Sequence, residues 1–242
     1  MTKFITFVSG KGGVGKTTST IGVGQAFLKL GKKVLLVDAN IVTPNLAINL
    51  GLMNPKATLN QFLRKENSIE EITYLHESGL SFIPASPSFV EFQKTNPGKL
   101  GELFEHLDNT IDYVLIDAPS GLGYEVKEVL KNSDEVVLVV NPNLSSVMDA
   151  LKTMELAKAH DNVVTGIILN MTNKGRHELK AEEIENILGC PILGNIRLEK
   201  KIRKAAYRQA PVNYLFPYSR PARELLKIAD YLNNDSRLRI KE

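Results

Sequence analysis

Runs of consecutive apolar residues recur along the chain, each closed by a polar or glycine-rich stretch. Residues 4–8, 33–38, 112–117, 135–140 and 162–170 carry almost no polar alternation. That is the pattern of strands buried on both faces of a parallel sheet. Residues 191–196 give one more run, and residues 72–74 and 80–84 flank Glu77-Ser78-Gly79 like a hairpin at a sheet edge. Between the runs, residues 17–30, 178–188 and 221–232 read as helices, the first two stopped by Gly31 and Gly189. The third repeats apolar side chains at Leu225, Leu226, Ile228, Ala229 and Leu232, one packing face. Shorter helical pieces are expected at 58–64 and 68–71, and after the turn Asn96-Pro97-Gly98 through Leu107. Thr43 is expected to cap a short helix with Pro44 in its first turn, and a serine of Ser145-Ser146 to cap another. Strands alternating with helices predict one doubly wound α/β domain over residues 1–242, mainly parallel with helices on both faces, and a short basic tail at 235–242.

Composition narrows the class. A hydrophobic fraction of 43% in 242 residues is enough for a sizeable core. The single cysteine, Cys190, rules out a disulfide framework and a Cys-x-x-Cys metal pair, which suits a reducing cytosol. No run approaches the roughly 18–20 apolar residues of a spanning helix, and the N-terminal run does not read as a signal peptide. The net charge of +3 is too small to argue for nucleic acid by itself.

The candidate chemistry starts at Gly10-Lys11-Gly12-Gly13-Val14-Gly15-Lys16-Thr17-Thr18, which fits the phosphate-loop pattern Gly-x4-Gly-Lys-[Ser/Thr]. It stands between an expected strand and an expected helix. There, backbone N–H groups converge on phosphate oxygens and the helix N-terminus adds partial positive charge. Lys16 would reach the β- and γ-phosphates, and the Thr17 hydroxyl would ligate Mg²⁺. Asp38 ends an apolar run where open α/β sheets bind ligands, and it reads either as part of a Mg²⁺ water shell or as a helix cap. Asp117 ends another run, before Ala118-Pro119-Ser120-Gly121-Leu122-Gly123, and is open to the same two readings, with the upstream loop favouring the metal. Asn170 closes a further run; its amide offers a donor and an acceptor to a base edge, and it also suits a turn.

The string from Lys11 to Thr18 resembles the deviant Walker A motif of the MinD/ParA family of ATPases, P-loop proteins of the SIMIBI class. The resemblance implies that Lys11 crosses an ATP-sandwiched homodimer to the partner's phosphates, and that Asp38 and Asp117 serve Mg²⁺. The family usually carries a second acid two residues after the first, which orients the attacking water; this chain has Asn40 there. Asparagine can hydrogen-bond a water and cannot take its proton, so slow hydrolysis is expected. By the same resemblance Asn170 contacts adenine, and the segment with Pro211 and Val212 covers the base. The run Asn-Pro-x-x-Ser-Ser-Val-x-Asp at 141–149 resembles MinD more than ParA. The implied function is an ATP-dependent dimerisation switch that positions cellular cargo or the division site, with a protein activator or adaptor. The implied location is cytoplasmic, with a weak or indirect membrane contact through the tail, which has only Leu238 and Ile240 as large apolar residues. Two alternatives remain. A ParA-like partition ATPase would bind DNA through Arg197, Lys200, Lys201, Arg203, Lys204 and Arg208. An iron–sulfur carrier of the Mrp type shares the loop and uses a cysteine pair, for which Cys190 alone is a poor match.

Overall fold

The apolar runs become strands of a single sheet in the computed structural model, which describes residues 1–173, 175 and 177–234. Along the chain the elements are β1 (Lys3–Ser9), α1 (Lys16–Lys29), β2 (Val34–Asp38), α2 (Leu46–Asn49), α3 (Leu59–Leu63), α4 (Ile69–Ile72), β3 (Tyr74–Leu75), β4 (Ser81–Ile83), α5 (Phe89–Lys94), α6 (Leu100–Leu107), β5 (Tyr113–Ser120), α7 (Tyr124–Leu130), β6 (Glu135–Val140), α8 (Leu144–Lys158), β7 (Val163–Thr172), α9 (Ala181–Leu188), β8 (Ile192–Arg197), α10 (Lys200–Tyr207), α11 (Val212–Leu215) and α12 (Arg220–Asn234). The strand order is β3-β4-β2-β5-β1-β6-β7-β8, and only β3 runs antiparallel to its neighbour.

Residue parity along the strands sorts side chains into two layers, because successive side chains leave opposite faces of a sheet. Phe4 and Val8 of β1, Val114 and Ile116 of β5, and Val136, Leu138 and Val140 of β6 join the cluster under α6, α7, α8 and α9. Ile5 and Phe7, Tyr113 and Leu115, and Val137 and Val139 join the other cluster, under α1 and α12. Helix α12 buries Leu225, Ile228, Ala229 and Leu232 of its expected apolar face, whereas Leu226 is exposed, one position round the helix from Leu225. A central strand with helices on both faces leaves only the loops at its carboxyl end open to ligands.

Several boundaries differ from the sequence reading. The short helix after β2 begins at Leu46 rather than at Pro44 behind a Thr43 cap, and Asp38, not Thr43, accepts from the N–H groups of Asn45 and Leu46. Helix α8 begins at Leu144, capped by Asn143, whose side chain accepts from the Ser146 backbone at 2.9 Å; the serines lie inside the helix. Strand β5 runs past Asp117 to Ser120, since Ser9 and Ser120 are still paired. Strand β7 likewise continues past Asn170 to Thr172. Helix α9 begins at Ala181 rather than at Glu178. Pro211 and Val212 form the start of the short helix α11, where an open covering loop was expected. Helix α5 was not anticipated; it buries no residue, so the sequence carries no periodic apolar face there. The basic tail at 235–242 lies outside the described residues.

Candidate functional site

The loops after β1, β2, β5, β6 and β7 meet at the carboxyl end of the sheet. Residues 10–15 wrap round the N-terminus of α1, whose first position is Lys16. Gly15 has φ of 91°, in the left-handed region that favours glycine, and a side chain added there would run into the Asn170 amide. Gly10 packs on the Asp149 backbone of α8, again leaving no room for a Cβ. The loop is thus clamped between two neighbouring elements. Its far side faces a cavity of about 410 Å³ lined by Gly12, Gly13, Lys16, Thr17, Asn40 and Ser120, among others.

Two carboxylates lie beneath that cavity. Strand register puts Asp38 of β2 directly beside Asp117 of β5, and both are fully buried. Lys16 Nζ contacts Asp117 Oδ1 at 2.8 Å, and Thr17 Oγ1 donates to Asp117 Oδ2 at 2.5 Å. Asp38 accepts from the backbone N–H of Asn40 at 3.1 Å, Asn45 at 3.1 Å and Leu46 at 2.9 Å. Burial first, and then the charge of Asp117, push the Asp38 carboxyl up to about 7; its N–H donors and Lys16 oppose the rise. Two acids therefore share one lysine in a dry setting. A pair of carboxylates with an adjacent hydroxyl is a set of hard oxygen donors short of one positive charge, and it suits Mg²⁺ held partly through water.

The other candidates occupy distinct places. Val14, Gly15 and Thr18 line the cavity with the glycines. Asn40 is buried and lines it too, but its amide is bonded to Thr43: Nδ2 donates to Thr43 O at 2.7 Å, and Thr43 N donates to Oδ1 at 3.2 Å. Asn170 sits behind the loop, its Nδ2 donating to Val14 O at 2.8 Å. Pro211 and Val212 are buried beside Thr18, Ile21 and Asn49, outside the main cavity. Lys11 leaves the loop sideways, half-buried, with Nζ 3.4 Å from Ser145 Oγ of α8. Cys190 is half-buried against the core beyond α9, and burial pushes its thiol up.

The sequence reading missed Asn141. Its Nδ2 donates to Asn170 O at 3.1 Å and to Val14 O at 3.4 Å, tying β6 and β7 to the phosphate loop. A signal was available, since Asn141 follows an apolar strand just as Asn170 closes one. Thr43, Asn45, Asn49 and Met171, which also line the cavity, carry no such mark. Val42, Leu122, Leu144 and Met148 are exposed large apolar side chains, from the loops after β2 and β5 and from α8 after β6. Among the described residues no helix is long and apolar enough to cross a membrane.

Known proteins share this arrangement. A family model described as an AAA domain matches residues 2–165. An uncharacterized ATP-binding protein of Methanocaldococcus jannaschii is 35% identical over 225 residues, 93% of this chain and 85% of that protein. The septum site-determining protein MinD of Synechocystis is 30% identical over 217 residues, 84% of this chain and 78% of that protein. Among solved structures, MinD of Pyrococcus horikoshii complexed with Mg-ADP matches with a TM-score of 0.93 at 29% identity, covering 100% of both chains. The cell division ATPase MinD of Pyrococcus furiosus matches with a TM-score of 0.92 at 30% identity, over 96% of this chain and 99% of that one.

Proposed function

The chain belongs to the MinD/ParA family of ATPases, and from that premise we propose that it is an ATP-dependent dimerisation switch of the MinD type. In this reading ATP holds two copies face to face, and hydrolysis to ADP releases them. Lys16 and the backbone N–H groups of Gly12, Gly13, Val14, Gly15, Thr17 and Thr18 bind the phosphates. Thr17, Asp38 and Asp117 hold Mg²⁺, which when bound neutralises charge on the phosphate oxygens. Asn40 stands where the family's water-orienting acid would be, its amide held by Thr43, and Asn170 with Pro211 and Val212 borders the base. Cargo or division-site positioning is the cellular output, as the name of the septum site-determining relatives suggests, through a protein adaptor and a cytoplasmic pool of protein.

The carrying observation is Lys11. It is the loop cation turned away from the Asp117 carboxylate, and its Nζ lies 3.4 Å from Ser145 Oγ. Exposed Val42, Leu122, Leu144 and Met148 follow strands β2, β5 and β6 at the same carboxyl end of the sheet, a face suited to a second copy. A cation delivered only on dimerisation couples hydrolysis to assembly.

The test is the solution mass with ADP and with ATP and Mg²⁺, for the unaltered chain and for Lys11→Ala. A mass that doubles only with ATP, and a Lys11→Ala variant that fails to double or fails to hydrolyse, is the expected result. An unchanged mass with ATP would remove the switch. A ParA-like DNA-binding role has one observation behind it: Lys200, Lys201, Arg203 and Lys204 of α10 are exposed, and the described ion pairs do not include them. Duplex DNA binding that requires ATP and falls steeply with salt would favour it.

A further inference from the structure

Strands β2 and β5 deliver a matched pair of side chains to the phosphate cavity. Asp38 and Asp117 are register partners, and Ala39 N still donates to Asp117 O at 3.0 Å. Asn40 then follows β2 and Ser120 closes β5, on neighbouring strands about 4.8 Å apart. Both side chains line the cavity. The Asn40 amide is held by Thr43, so of the two positions only Ser120 keeps its polar group free.

The backbone of Ser120 is firmly placed. It pairs with Ser9, and Gly121 N donates to Ser9 O at 3.1 Å. Ser9 Oγ in turn donates to Lys11 O at 3.0 Å, which ties this end of β5 to the start of the phosphate loop. Three residues earlier on the same strand, Asp117 binds Lys16 and Thr17 at the end of that loop. Ser120 thus stands where the lysine and the paired carboxylates mark the γ-phosphate and cation end of the cavity. Thr18 and Asn49 also border the neighbouring cavity beside Pro211 and Val212, on the side read as bordering the base.

The other polar side chains at the γ-phosphate end are engaged. Ser9 bonds Lys11 O, Thr17 bonds Asp117 and Thr43 bonds Asn40. Asn45 is fixed through its amide nitrogen to Thr43 O at 2.8 Å. Ser120 is exposed, and its Oγ bonds no protein group among the described residues. A free hydroxyl can accept from a water and donate to a phosphate oxygen at once.

We propose that Ser120 orients the attacking water, the part closed to Asn40 while Thr43 holds its amide. This role rests on the ATPase reading of the site. Oγ accepts a hydrogen bond from the water and donates its own to a γ-phosphate oxygen. The water oxygen bonds to phosphorus as the bond to the β–γ bridging oxygen breaks, and that electron pair leaves with ADP. The proton lost by the water ends on the released phosphate, and Ser120 is left unchanged.

The test compares the unaltered chain with Ser120→Ala, Ser120→Thr, Asn40→Asp and the double variant of Ser120→Ala with Asn40→Asp. ATP affinity is read by calorimetry, and phosphate release by single-turnover kinetics at saturating ATP and Mg²⁺. The Ser120 side chain is exposed, and unchanged unfolding midpoints establish that the variants fold. Ser120→Ala should slow release about ten-fold while ATP affinity stays within about two-fold. Ser120→Thr, which keeps the hydroxyl, should stay within about three-fold of the unaltered rate. In the Asn40→Asp background the new carboxylate handles the water, so Ser120→Ala should cost less than about two-fold. Equal losses in both backgrounds would overturn the proposal and leave Ser120 as a support of the loop. So would an unchanged rate in Ser120→Ala, or a loss in Ser120→Thr as large as that in Ser120→Ala. An unaltered chain that binds ATP and releases no phosphate would overturn it as well, whereas one that binds no ATP would remove the ATPase reading itself.

Discussion

Asn40 grips Thr43 through both ends of its amide, with Nδ2 on the Thr43 carbonyl at 2.7 Å and Oδ1 receiving the Thr43 N–H at 3.2 Å. The side chain that would orient water is therefore committed to its own loop. In Asn40→Asp the donor is lost, the Thr43 carbonyl repels the new carboxylate, and the group is driven toward the cavity beside Lys16. A carboxylate there can take a proton from water. Steady-state phosphate release should rise about ten-fold or more, with ATP affinity nearly unchanged. An unchanged rate would leave Asn40 as a loop staple only.

Gly15→Ala should damage the loop twice. The methyl group meets the Asn170 amide, and φ of 91° disfavours any side chain. A loss of roughly 2 kcal/mol is expected in urea unfolding, with nucleotide affinity down at least about ten-fold. Gly12→Ala, where the added methyl meets open space, should unfold close to the unaltered chain.

Asp38 gives the nucleotide-free protein a pH signature. Its carboxyl is raised from 3.8 to about 7 by burial and by Asp117. The folded state then holds a proton that the unfolded state has released, so stability falls as pH rises across that window. The unfolding midpoint should drop between about pH 5 and pH 7, and Asp38→Asn should flatten the slope. A midpoint that rises over the same range in both proteins would contradict the assignment.

Asn141→Ala removes the bond to Asn170 O at 3.1 Å and the longer one to Val14 O, which keeps its bond from Asn170 Nδ2 at 2.8 Å. A cost of about 1 kcal/mol follows, together with faster hydrogen exchange at residues 12–16. Exchange that speeds up uniformly over the chain would indicate general loosening instead.

The fold was legible because parallel strands announce themselves. Two buried faces demand unbroken apolar runs, and each run became a strand. The phosphate loop was legible because its spacing is set by backbone geometry round an anion, and the two aspartates because each stands where a run stops. Caps were harder. Thr43 lost to Asp38, and the serines of α8 lost to Asn143, because a cap is chosen by which oxygen arrives in space. Asn170 was read for its base-edge chemistry, whereas one of its donors is spent on Val14. A cavity beside β3, lined by Leu50, Leu52, Tyr74, Phe82 and Gln209 among others, left no trace in the sequence, since its walls come from segments far apart along the chain.

The contact of Lys16 with Asp117 makes ligand capture an exchange rather than an addition. An ammonium group 2.8 Å from a buried carboxylate cannot turn to a phosphate without leaving that acid's charge uncompensated, with the Thr17 hydroxyl as its remaining side-chain donor. Nucleotide alone would strand Asp117, and cation alone would meet a lysine already in its place. Each arrival removes the obstacle to the other, so their affinities are tied by one reciprocal coupling energy. The loop thus responds to the pair of ligands together.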